Sequence, residues 1–439
     1  MKHISAAAFG AFLLSSAAGA AMAEDTTLTI ATVNNGDMIR MQTLTGDFTA
    51  KYPDIKLNWV TLEENVLRQK VTVDIATKAG EFDVLTIGTY EVPIWAKKHW
   101  ILPLDKLGAD YDIDDLLPQV RSALSVDGTL YASPFYAESS FTMYRKDLFE
   151  KAGLTMPEAP TWQFIVDAAK KLNDRENSIY GICLRGKAGW GENMGFLNAM
   201  SNSFGARWFD LKWRPQFDQP EWRATLSTYL DVMKAAGPPG ASANGFNENL
   251  ALFNAGHCAI WIDATVAAGF VTDPKQSRVW DKVGFALAPD AGLGKRANWL
   301  WAWALAVPAG SKKVDAAQKF IAWATSKSYT DLVASKVGWA RVPPGTRKSL
   351  YANPEYIKAA PFAKLTLESI NMADSLHPTV KPIPYVGVLF PAIPEYQGIG
   401  TKVGQIFSGA LAGDLSLDDA LREAQTSTTQ AMEKAGYIK

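Results

Sequence analysis

The apolar positions in the first part of the chain switch between two spacings. Residues 28–33, 55–60 and 83–87 are short runs of mainly apolar and β-branched side chains, which is typical of strands. Residues 37–51 and 67–78 lie between them and place apolar side chains at helical spacing. This β-α-β-α-β order predicts an α/β fold with a parallel sheet that helices cover on both faces.

A similar alternation returns later in the chain. Residues 180–184 and 258–262 are again strand-like, and helical segments lie between them. The chain has 439 residues, whereas a single hydrophobic core rarely grows beyond about 250–300 residues. We therefore expect two α/β lobes.

One strand is unusually rich in tryptophan. Residues 299–307 carry bulky side chains at the odd positions and mostly small ones at the even positions. This period of two, with apolar residues on both faces, predicts a strand that is buried on both sides. We expect Trp301 and Trp303 to fill the core. Trp299 stands at the start of the strand and is the better candidate to face a ligand.

The N-terminal residues 1–23 have the features of a signal peptide. Lys2 precedes an apolar stretch, and Ala21-Met22-Ala23 forms an A-x-A cleavage pattern before Glu24. The apolar stretch is shorter than the roughly 20 residues that a bilayer span requires, which disfavours a membrane anchor. We expect export, removal of residues 1–23 and a freely diffusing periplasmic protein.

Cys183 and Cys258 are the two cysteines of the sequence. In an exported protein they predict a disulfide, because disulfides persist in oxidising compartments. Two buried free thiols are the alternative, since cysteine is also a common core residue.

The charge balance and the motifs argue against several kinds of function. With 44 Lys and Arg against 45 Asp and Glu, the chain lacks the basic excess that is typical of nucleic-acid binding. Neither a G-x-S-x-G elbow nor a Walker loop occurs, and the histidines have no metal-ligand spacing. We expect no cofactor and no metal. A carboxylate-pair glycoside hydrolase leaves no local signature, so it stays as the enzyme alternative.

Several stretches, taken in order, carry a recognisable pattern. They are residues 133–140 (SPFYAESS) with residues 143–149 (MYRKDLF), residues 252–261 (LFNAGHCAIW) and residues 412–416 (AGDLS). In these stretches the chain resembles extracellular solute-binding protein family 1, the periplasmic sugar-binding components of ATP-driven importers. The first pair resembles the first interlobe crossing of that family, and the last stretch resembles its C-terminal helix signature.

Three stretches resemble the sorbitol- and mannitol-binding branch of this family, namely residues 135–140, 184–193 and 261–265. The resemblance implies a periplasmic protein that captures a polyol and delivers it to the permease subunits of an ABC importer in the inner membrane. We expect a monomer without catalytic activity. The same fold with a monosaccharide or an oligosaccharide as ligand is the alternative.

The resemblance also implies a two-lobed periplasmic binding protein fold of type II, which is maltose-binding-protein-like. Three interlobe crossings are expected near residues 138–140, 295–298 and 341–344. The N-terminal lobe is expected to consist of residues 24–138 plus 297–341, and the C-terminal lobe of residues 139–296 plus 342–439. We expect the ligand in the central cleft, because such folds bind ligands beyond the carboxyl ends of their strands.

The candidate ligand-binding residues are polar or aromatic, and most of them follow predicted strands or lie at the crossings. They are Asn35, Glu64, Tyr90, Glu138, Arg185, Trp190, Asp263, Trp299 and Arg341. Carboxylates accept hydrogen bonds from hydroxyl groups, whereas arginine and asparagine donate them. This combination suits a polyol in a cleft from which water is expelled.

Several of these residues also have a structural interpretation. Asn35 suits a helix N-cap, Arg185 a salt bridge, and Asp263 a cap at the end of its strand. The resemblance places a cleft carboxylate at Glu138 and an aromatic sugar platform at Trp190, for which ordinary core packing is the alternative. We expect Glu138 and Asp263 to bind hydroxyl groups of one ligand from the two lobes.

Overall fold

Two large β-sheets with covering helices, and one small two-stranded sheet, make up residues 25–438, the part of the chain that the computed structural model describes. The signal peptide predicted for residues 1–23 lies outside the described residues. The strands are β1 (Thr26–Val33), β2 (Ile55–Leu62), β3 (Val84–Gly88), β4 (Ser125–Val126), β5 (Thr129–Leu130), β6 (Ser133–Glu138), β7 (Ser140–Arg145), β8 (Tyr180–Cys183), β9 (Cys258–Ala264), β10 (Val283–Leu287) and β11 (Trp301–Ala306). The α-helices are α1 (Gly36–Thr43), α2 (Thr45–Lys51), α3 (Glu64–Thr77), α4 (Glu91–Lys97), α5 (Pro118–Ala123), α6 (Lys146–Lys151), α7 (Trp162–Leu172), α8 (Asn193–Ser203), α9 (Pro220–Ala236), α10 (Phe246–Asn254), α11 (Ala268–Val271), α12 (Val314–Ala324), α13 (Lys327–Val337), α14 (Lys348–Ala352), α15 (Pro354–Ala359), α16 (Ala363–Asn371), α17 (Tyr396–Ala412) and α18 (Leu417–Lys434).

The first sheet has the strand order β2-β1-β3-β11-β6. Strand β1 pairs in parallel with both β2 and β3, which confirms the parallel β-α-β-α-β arrangement. Strand β11 runs antiparallel to β3 and β6, so the sheet as a whole is mixed. The chain reaches β11 only after it has passed through the second sheet, and on its return it runs through the first sheet in the opposite direction.

The second sheet has the strand order β10-β7-β9-β8. Strands β8 and β9 are parallel, whereas β7 runs antiparallel to β9 and β10. Strands β3, β9 and β11 are buried along their whole length, so apolar side chains pack on both faces of both sheets.

The helix predicted over residues 37–51 is divided in the structure. It forms α1 and α2, which are separated at Leu44. The backbone of Leu44 leaves the helical region, with φ −103° and ψ 1°. A spacing of apolar residues does not reveal such a break, because the apolar face continues on both sides of it.

The chain passes between the two sheets three times within the described residues. Ser139 alone separates β6 from β7. Residues 288–300 lead from β10 back to β11, and residues 338–347 lead from α13 to helices α14–α18. Helix α16 packs on β7 and β10, and α17 packs on α8 and α9. We call the first sheet with its helices lobe one and the second sheet with its helices lobe two; the lobe boundaries predicted from the sequence stay a prediction.

A disulfide joins Cys183 of β8 to Cys258 of β9, with Cα atoms 5.9 Å apart. The disulfide interpretation of the two cysteines is therefore confirmed. The bond links two neighbouring strands of lobe two.

Among residues 25–438, no helix is both long and apolar enough to cross a bilayer.

Candidate ligand-binding site

A cavity lies between the two lobes. Both lobes contribute to its wall. The lining residues are Asn35, Glu64, Arg68, Tyr136, Glu138, Arg185, Gly191, Gly195, Phe246, Ala264, Val266, Trp299, Trp301, Trp303, Leu389 and Phe390.

The two lobes are in direct contact near this cavity. Lys187 Nζ of lobe two lies 2.6 Å from Glu63 Oε1 of lobe one. Asn65 Nδ2 of lobe one donates to the Ala188 carbonyl of lobe two at 3.1 Å. These contacts define a closed conformation.

Asn35 follows β1 and occupies the N-cap position of α1, yet its side chain caps no backbone N–H of that helix. It lines the cavity instead and donates from Nδ2 to the Tyr136 hydroxyl at 2.9 Å. Burial raises the pKa of Tyr136 well above its ordinary value, so this hydroxyl stays neutral. The pair therefore presents neutral hydrogen-bonding groups to a ligand.

Glu138 ends β6 at the first passage between the lobes, and it lines the cavity while being only 5% exposed. Burial raises the pKa of Glu138 well above its ordinary value, although the charge of Arg185 favours the ionised form. The indole N–H of Trp299 favours the ionised form as well, although it forms no hydrogen bond of good geometry with an acceptor among the described residues. The carboxyl oxygens of Glu138 are thus available to ligand hydroxyl groups.

Arg185 follows β8 and lines the cavity, whereas Asp263 of β9 is fully buried and lies outside the lining. Asp263 accepts from Arg185 Nε at 2.9 Å and from a terminal nitrogen at 2.6 Å. It also accepts from the Ala264 backbone N–H at 2.7 Å and from the Trp261 indole at 3.2 Å. Burial disfavours the charge of Arg185, but the pairing with Asp263 outweighs this cost and raises the pKa of Arg185.

These bonds correct the role expected for Asp263. The sequence suggested that it binds a ligand hydroxyl, but the structure places it behind Arg185 with its oxygens already bonded within the protein. Asp263 therefore orients Arg185, and Arg185 is the group that reaches the cavity.

Glu64 begins α3 and lines the cavity together with Arg68, one turn further along the same helix. Glu64 Oε1 accepts from Arg68 Nε at 3.0 Å and from a terminal nitrogen at 2.8 Å. Sequence reasoning did not include Arg68. The available signal was its position four residues after Glu64, which places the two side chains on one face of a helix.

All three tryptophans around β11 line the cavity. Trp301 and Trp303 are also only 3% exposed and belong to the hydrophobic core, which confirms the expectation for these two residues. Both rings pack on Arg68 of α3, and the ring of Trp301 also packs on Trp190 and Phe390 of lobe two. Gly88 of the neighbouring β3 makes room for this, because a side-chain carbon there would overlap the ring of Trp301. The indole N–H groups of Trp299 and Trp301 are buried without a partner among the described residues.

Tyr90 and Trp190 lie next to the cavity but do not line it. The Tyr90 hydroxyl donates to the Ile393 carbonyl at 2.8 Å, which joins the end of β3 to the C-terminal part of the chain. The rings of Tyr90 and Trp190 pack with their centres 5.1 Å apart, and the Trp190 ring lies against the Arg68 guanidinium. In this position Trp190 does not form the sugar platform that the resemblance implies.

Arg341 also lies outside the cavity lining. Its guanidinium pairs with Asp273 of lobe two, and its carbonyl accepts from Arg40 of lobe one at 2.7 Å. Burial and the neighbouring Arg40 lower the pKa of Arg341 to about 10. Arg341 therefore joins the lobes at the third passage instead of contacting the cavity.

Two apolar wall residues, Leu389 and Phe390, were not predicted. They belong to residues 373–395, which form no helix or strand, so no periodicity marks them. Asn202 and Asn198 of α8 hold this segment by donating to the carbonyls of Val388 and Leu389, each at 2.7 Å. Tyr136 was also missed, although it lies within the stretch 135–140 on which the resemblance rests.

Comparison with known proteins assigns the chain to a family. Residues 35–331 match the model of the bacterial extracellular solute-binding proteins. The chain belongs to this family. The family predicted from the sequence is therefore confirmed. Its known relatives are substrate-binding proteins, and the fold is the two-lobed, maltose-binding-protein-like one.

Relatives of this solute-binding protein include binders of acyclic polyols. It is 59% identical over 413 residues to the mannitol-binding protein of Pseudomonas aeruginosa, and the alignment covers 94% of each chain. It superposes with a TM-score of 0.93 on an ABC transporter solute-binding protein of Agrobacterium vitis with bound D-mannitol, at 72% identity over 94% of this chain and 100% of that one. A solute-binding protein of Agrobacterium radiobacter in complex with ribitol gives a TM-score of 0.82 at 25% identity, over 93% of this chain and 99% of that one.

Proposed function

We propose that this solute-binding protein captures a linear polyol, with D-mannitol and sorbitol as first candidates, in the cavity between its lobes. It acts as a monomer in the periplasm and releases the polyol, chemically unchanged, to the permease subunits of an ABC importer. The observation that carries the proposal is a closed, tryptophan-walled cavity with the free carboxyl group of Glu138 near Arg185. The mannitol-bound relative with 72% identity supports the same ligand class.

The charges of the cavity favour a neutral ligand. Arg185 pairs with Asp263, and Arg68 pairs with both Glu64 and Glu91. The described lining residues thus include no cation without a carboxylate partner. A sugar acid or sugar phosphate brings an uncompensated negative charge into this cavity, which is costly in a buried site.

The polar groups of the wall match hydroxyl groups. Glu138 offers acceptor oxygens, and the buried indole N–H groups of Trp299 and Trp301 require acceptors. Because each hydroxyl both donates and accepts, one polyol satisfies both kinds of group. The carbon chain of the ligand packs on the indole rings. A hexitol has about twelve heavy atoms, and a ceiling of about 1.5 kcal/mol per atom leaves a micromolar Kd, about −8 kcal/mol, within reach.

Isothermal titration calorimetry with D-mannitol, sorbitol, xylitol, ribitol, D-fructose, D-glucose and maltose tests the proposal. We expect the hexitols to bind most tightly and to be recovered unchanged. Tightest binding of maltose would replace the polyol by an oligosaccharide. Turnover of an aryl glycoside would favour the hydrolase alternative.

Glu138→Gln tests the residue that carries the proposal. The amide keeps the size of the side chain but replaces one acceptor oxygen by a donor, so we expect D-mannitol affinity to fall about 5- to 150-fold. Glu423→Gln is the matched control, because Glu423 is exposed on α18. Unchanged affinity of Glu138→Gln would remove Glu138 from the site.

A further inference from the structure

Arg68 is held in place by lobe one. Its Nε and one terminal nitrogen donate to Glu64 at 3.0 and 2.8 Å, and the other terminal nitrogen donates to Glu91 at 3.1 Å. Glu91 is fixed in turn, since it accepts from the Gly88 backbone N–H at 3.0 Å. Arg68 is only 4% exposed. Because a guanidinium is planar, these bonds set both its position and its orientation.

Three indole rings surround this guanidinium. Its central carbon lies 4.7 Å from the ring centres of Trp301 and Trp303, which belong to β11 of lobe one. It lies 4.0 Å from the ring centre of Trp190, which belongs to lobe two. A desolvated guanidinium over an indole ring is a favourable cation–π arrangement. Trp190 therefore contacts lobe one through Arg68.

Gly191 brings the backbone of lobe two onto the same ion pair. A Cβ atom at Gly191 would overlap the carboxylate of Glu64 and would lie 2.6 Å from Arg68 Nε. A larger side chain at this point would have to displace the ion pair or hold the two lobes apart. The Gly191 carbonyl also accepts from Arg185 at 3.2 Å, which ties this loop to the cavity wall.

We propose that Arg68 is a positioning residue for lobe closure, and that Trp190 and Gly191 are its counterpart in lobe two. Lobe one prepares the guanidinium with Glu64 and Glu91. Closure around a ligand then seats Trp190 and Gly191 on it. Arg185 couples this contact to the occupied cavity through the Gly191 carbonyl. The inference rests on the proposed function for the choice of polyol as ligand.

Gly191→Ala tests the contact by opposing closure. The added methyl group meets Glu64 and Arg68 only when the lobes are together. We expect D-mannitol to dissociate about tenfold faster, which stopped-flow tryptophan fluorescence measures, and the ligand-free Tm to stay unchanged. Gly398→Ala is the control, because a Cβ atom there meets nothing within 4 Å. Equal dissociation rates in wild type and Gly191→Ala would overturn the proposal.

A double-mutant cycle between Arg68→Lys and Trp190→Leu tests the pair itself. Lysine keeps a cation beside Glu64 and Glu91, and leucine keeps an apolar side chain in place of Trp190. We expect each single change to weaken D-mannitol binding. The fold-loss of affinity in the double variant should be smaller, by a factor of at least about three, than the product of the two single fold-losses. Multiplicative losses in affinity would show that the two side chains act independently and would overturn the proposal.

Spin labels separate this inference from the proposed function. Val73→Cys and Lys402→Cys place them on exposed positions of α3 and α17, across the groove between the lobes. We expect D-mannitol to shorten the distance between the labels less in Gly191→Ala than in the otherwise wild-type protein. If the labelled, otherwise wild-type protein binds no polyol in calorimetry, the proposed function fails. The role of Arg68 is then tested by comparing the label-to-label distances of the two proteins without ligand. If Gly191→Ala lacks the shortest label-to-label distances, the positioning role of Arg68 is supported. Identical distance distributions in the two proteins overturn it.

Discussion

The buried carboxylates around the cavity differ in the number of protein groups that they bind. Asp263 accepts from Arg185, from the Ala264 backbone and from the Trp261 indole. Glu138 is nearly as buried, but it lines the cavity, and the Trp299 indole beside it forms no hydrogen bond of good geometry with any described residue. Asp263 is therefore a support for Arg185, whereas Glu138 is the carboxyl group that we propose for ligand binding.

Asp263→Asn should cost stability even without a ligand. The substitution leaves Arg185 buried without its nearest counter-charge, and we expect the free energy of unfolding to fall by about 3–5 kcal/mol. Urea denaturation of the ligand-free protein measures this. Glu138→Gln is the matched control, for which we expect no such loss. Equal stability of the two variants would contradict the division of roles.

Glu192 is the second buried carboxylate with an unusual environment. Burial and then the charge of Glu64 raise the pKa of Glu192 to about 8, although Arg185 and Lys187 favour its ionised form. Its ordinary value is 4.5. Between these two values the folded protein holds a proton that the unfolded chain has released. The contribution of Glu192 to stability is therefore complete below the unfolded pKa and is lost as the pH rises through about 8.

Calorimetric melting across pH tests this assignment. We expect the Tm of the D-mannitol-loaded protein to fall between about pH 5 and about pH 9, and Glu192→Gln to remove part of the fall, because an amide does not titrate. Burial also raises the pKa of Glu138, so Glu138 adds to the change of Tm with pH in the wild type. The test is therefore the difference between the Tm profiles of Glu192→Gln and wild type. Parallel Tm profiles would contradict the role of Glu192.

At the scale of elements, strands β8 and β9 position the charged pair of lobe two. Arg185 follows β8, and Asp263 lies near the end of β9. These neighbouring strands are linked by the disulfide between Cys183 and Cys258. The pair is thus presented by elements that both hydrogen bonds and a covalent bond hold together.

Removal of the disulfide should lower stability more than affinity. The bridged residues are 75 positions apart, and closing a loop of this length contributes about 4 kcal/mol in the chain-entropy model. We expect Cys183→Ser with Cys258→Ser to lower the free energy of unfolding by about this amount in urea. The affinity for D-mannitol should change little, because the pairing of β8 with β9 remains. Free thiols in unfolded, unreduced wild-type protein would contradict the bond.

At the scale of the whole molecule, the cavity exists because two lobes meet. Its wall combines Asn35 and residues of α3, β6 and β11 with the loop after β8 and with Leu389 and Phe390. Polar contacts such as that between Lys187 and Glu63 connect the lobes in this state. A ligand that contacts both sides stabilises the closed state by its preference for that state.

Ligand binding should therefore make the protein both more compact and more stable. We expect D-mannitol to lower the radius of gyration in small-angle X-ray scattering. A free ligand concentration of about 1,000 times Kd should add about 4 kcal/mol to the free energy of unfolding. A sugar of the calorimetric panel that does not bind is the control. Stabilisation without compaction would contradict closure around the ligand.

The sequence by itself determined the elements and several positions at the site. Alternating periods predicted β1, β2 and β3 and the helices between them, because burial of one or both faces imposes those periods locally. Asn35, Glu64, Glu138 and Arg185 line the cavity because they end or follow strands whose carboxyl ends meet at one edge. Trp299 joins them because the antiparallel strand β11 begins at that edge. Cys183 and Cys258 were predicted to pair from the compartment that the signal peptide indicates.

The tertiary structure alone decided which side chains face the cavity and which face each other. Asp263 lies behind Arg185, Trp301 faces the lobe interface, and Trp190 packs on Arg68. All three outcomes depend on residues more than 70 positions apart, since Trp301 packs on Gly88 and Phe390. A local period records only that a face is buried. The partner that buries it is set by long-range packing, which the sequence pattern does not contain.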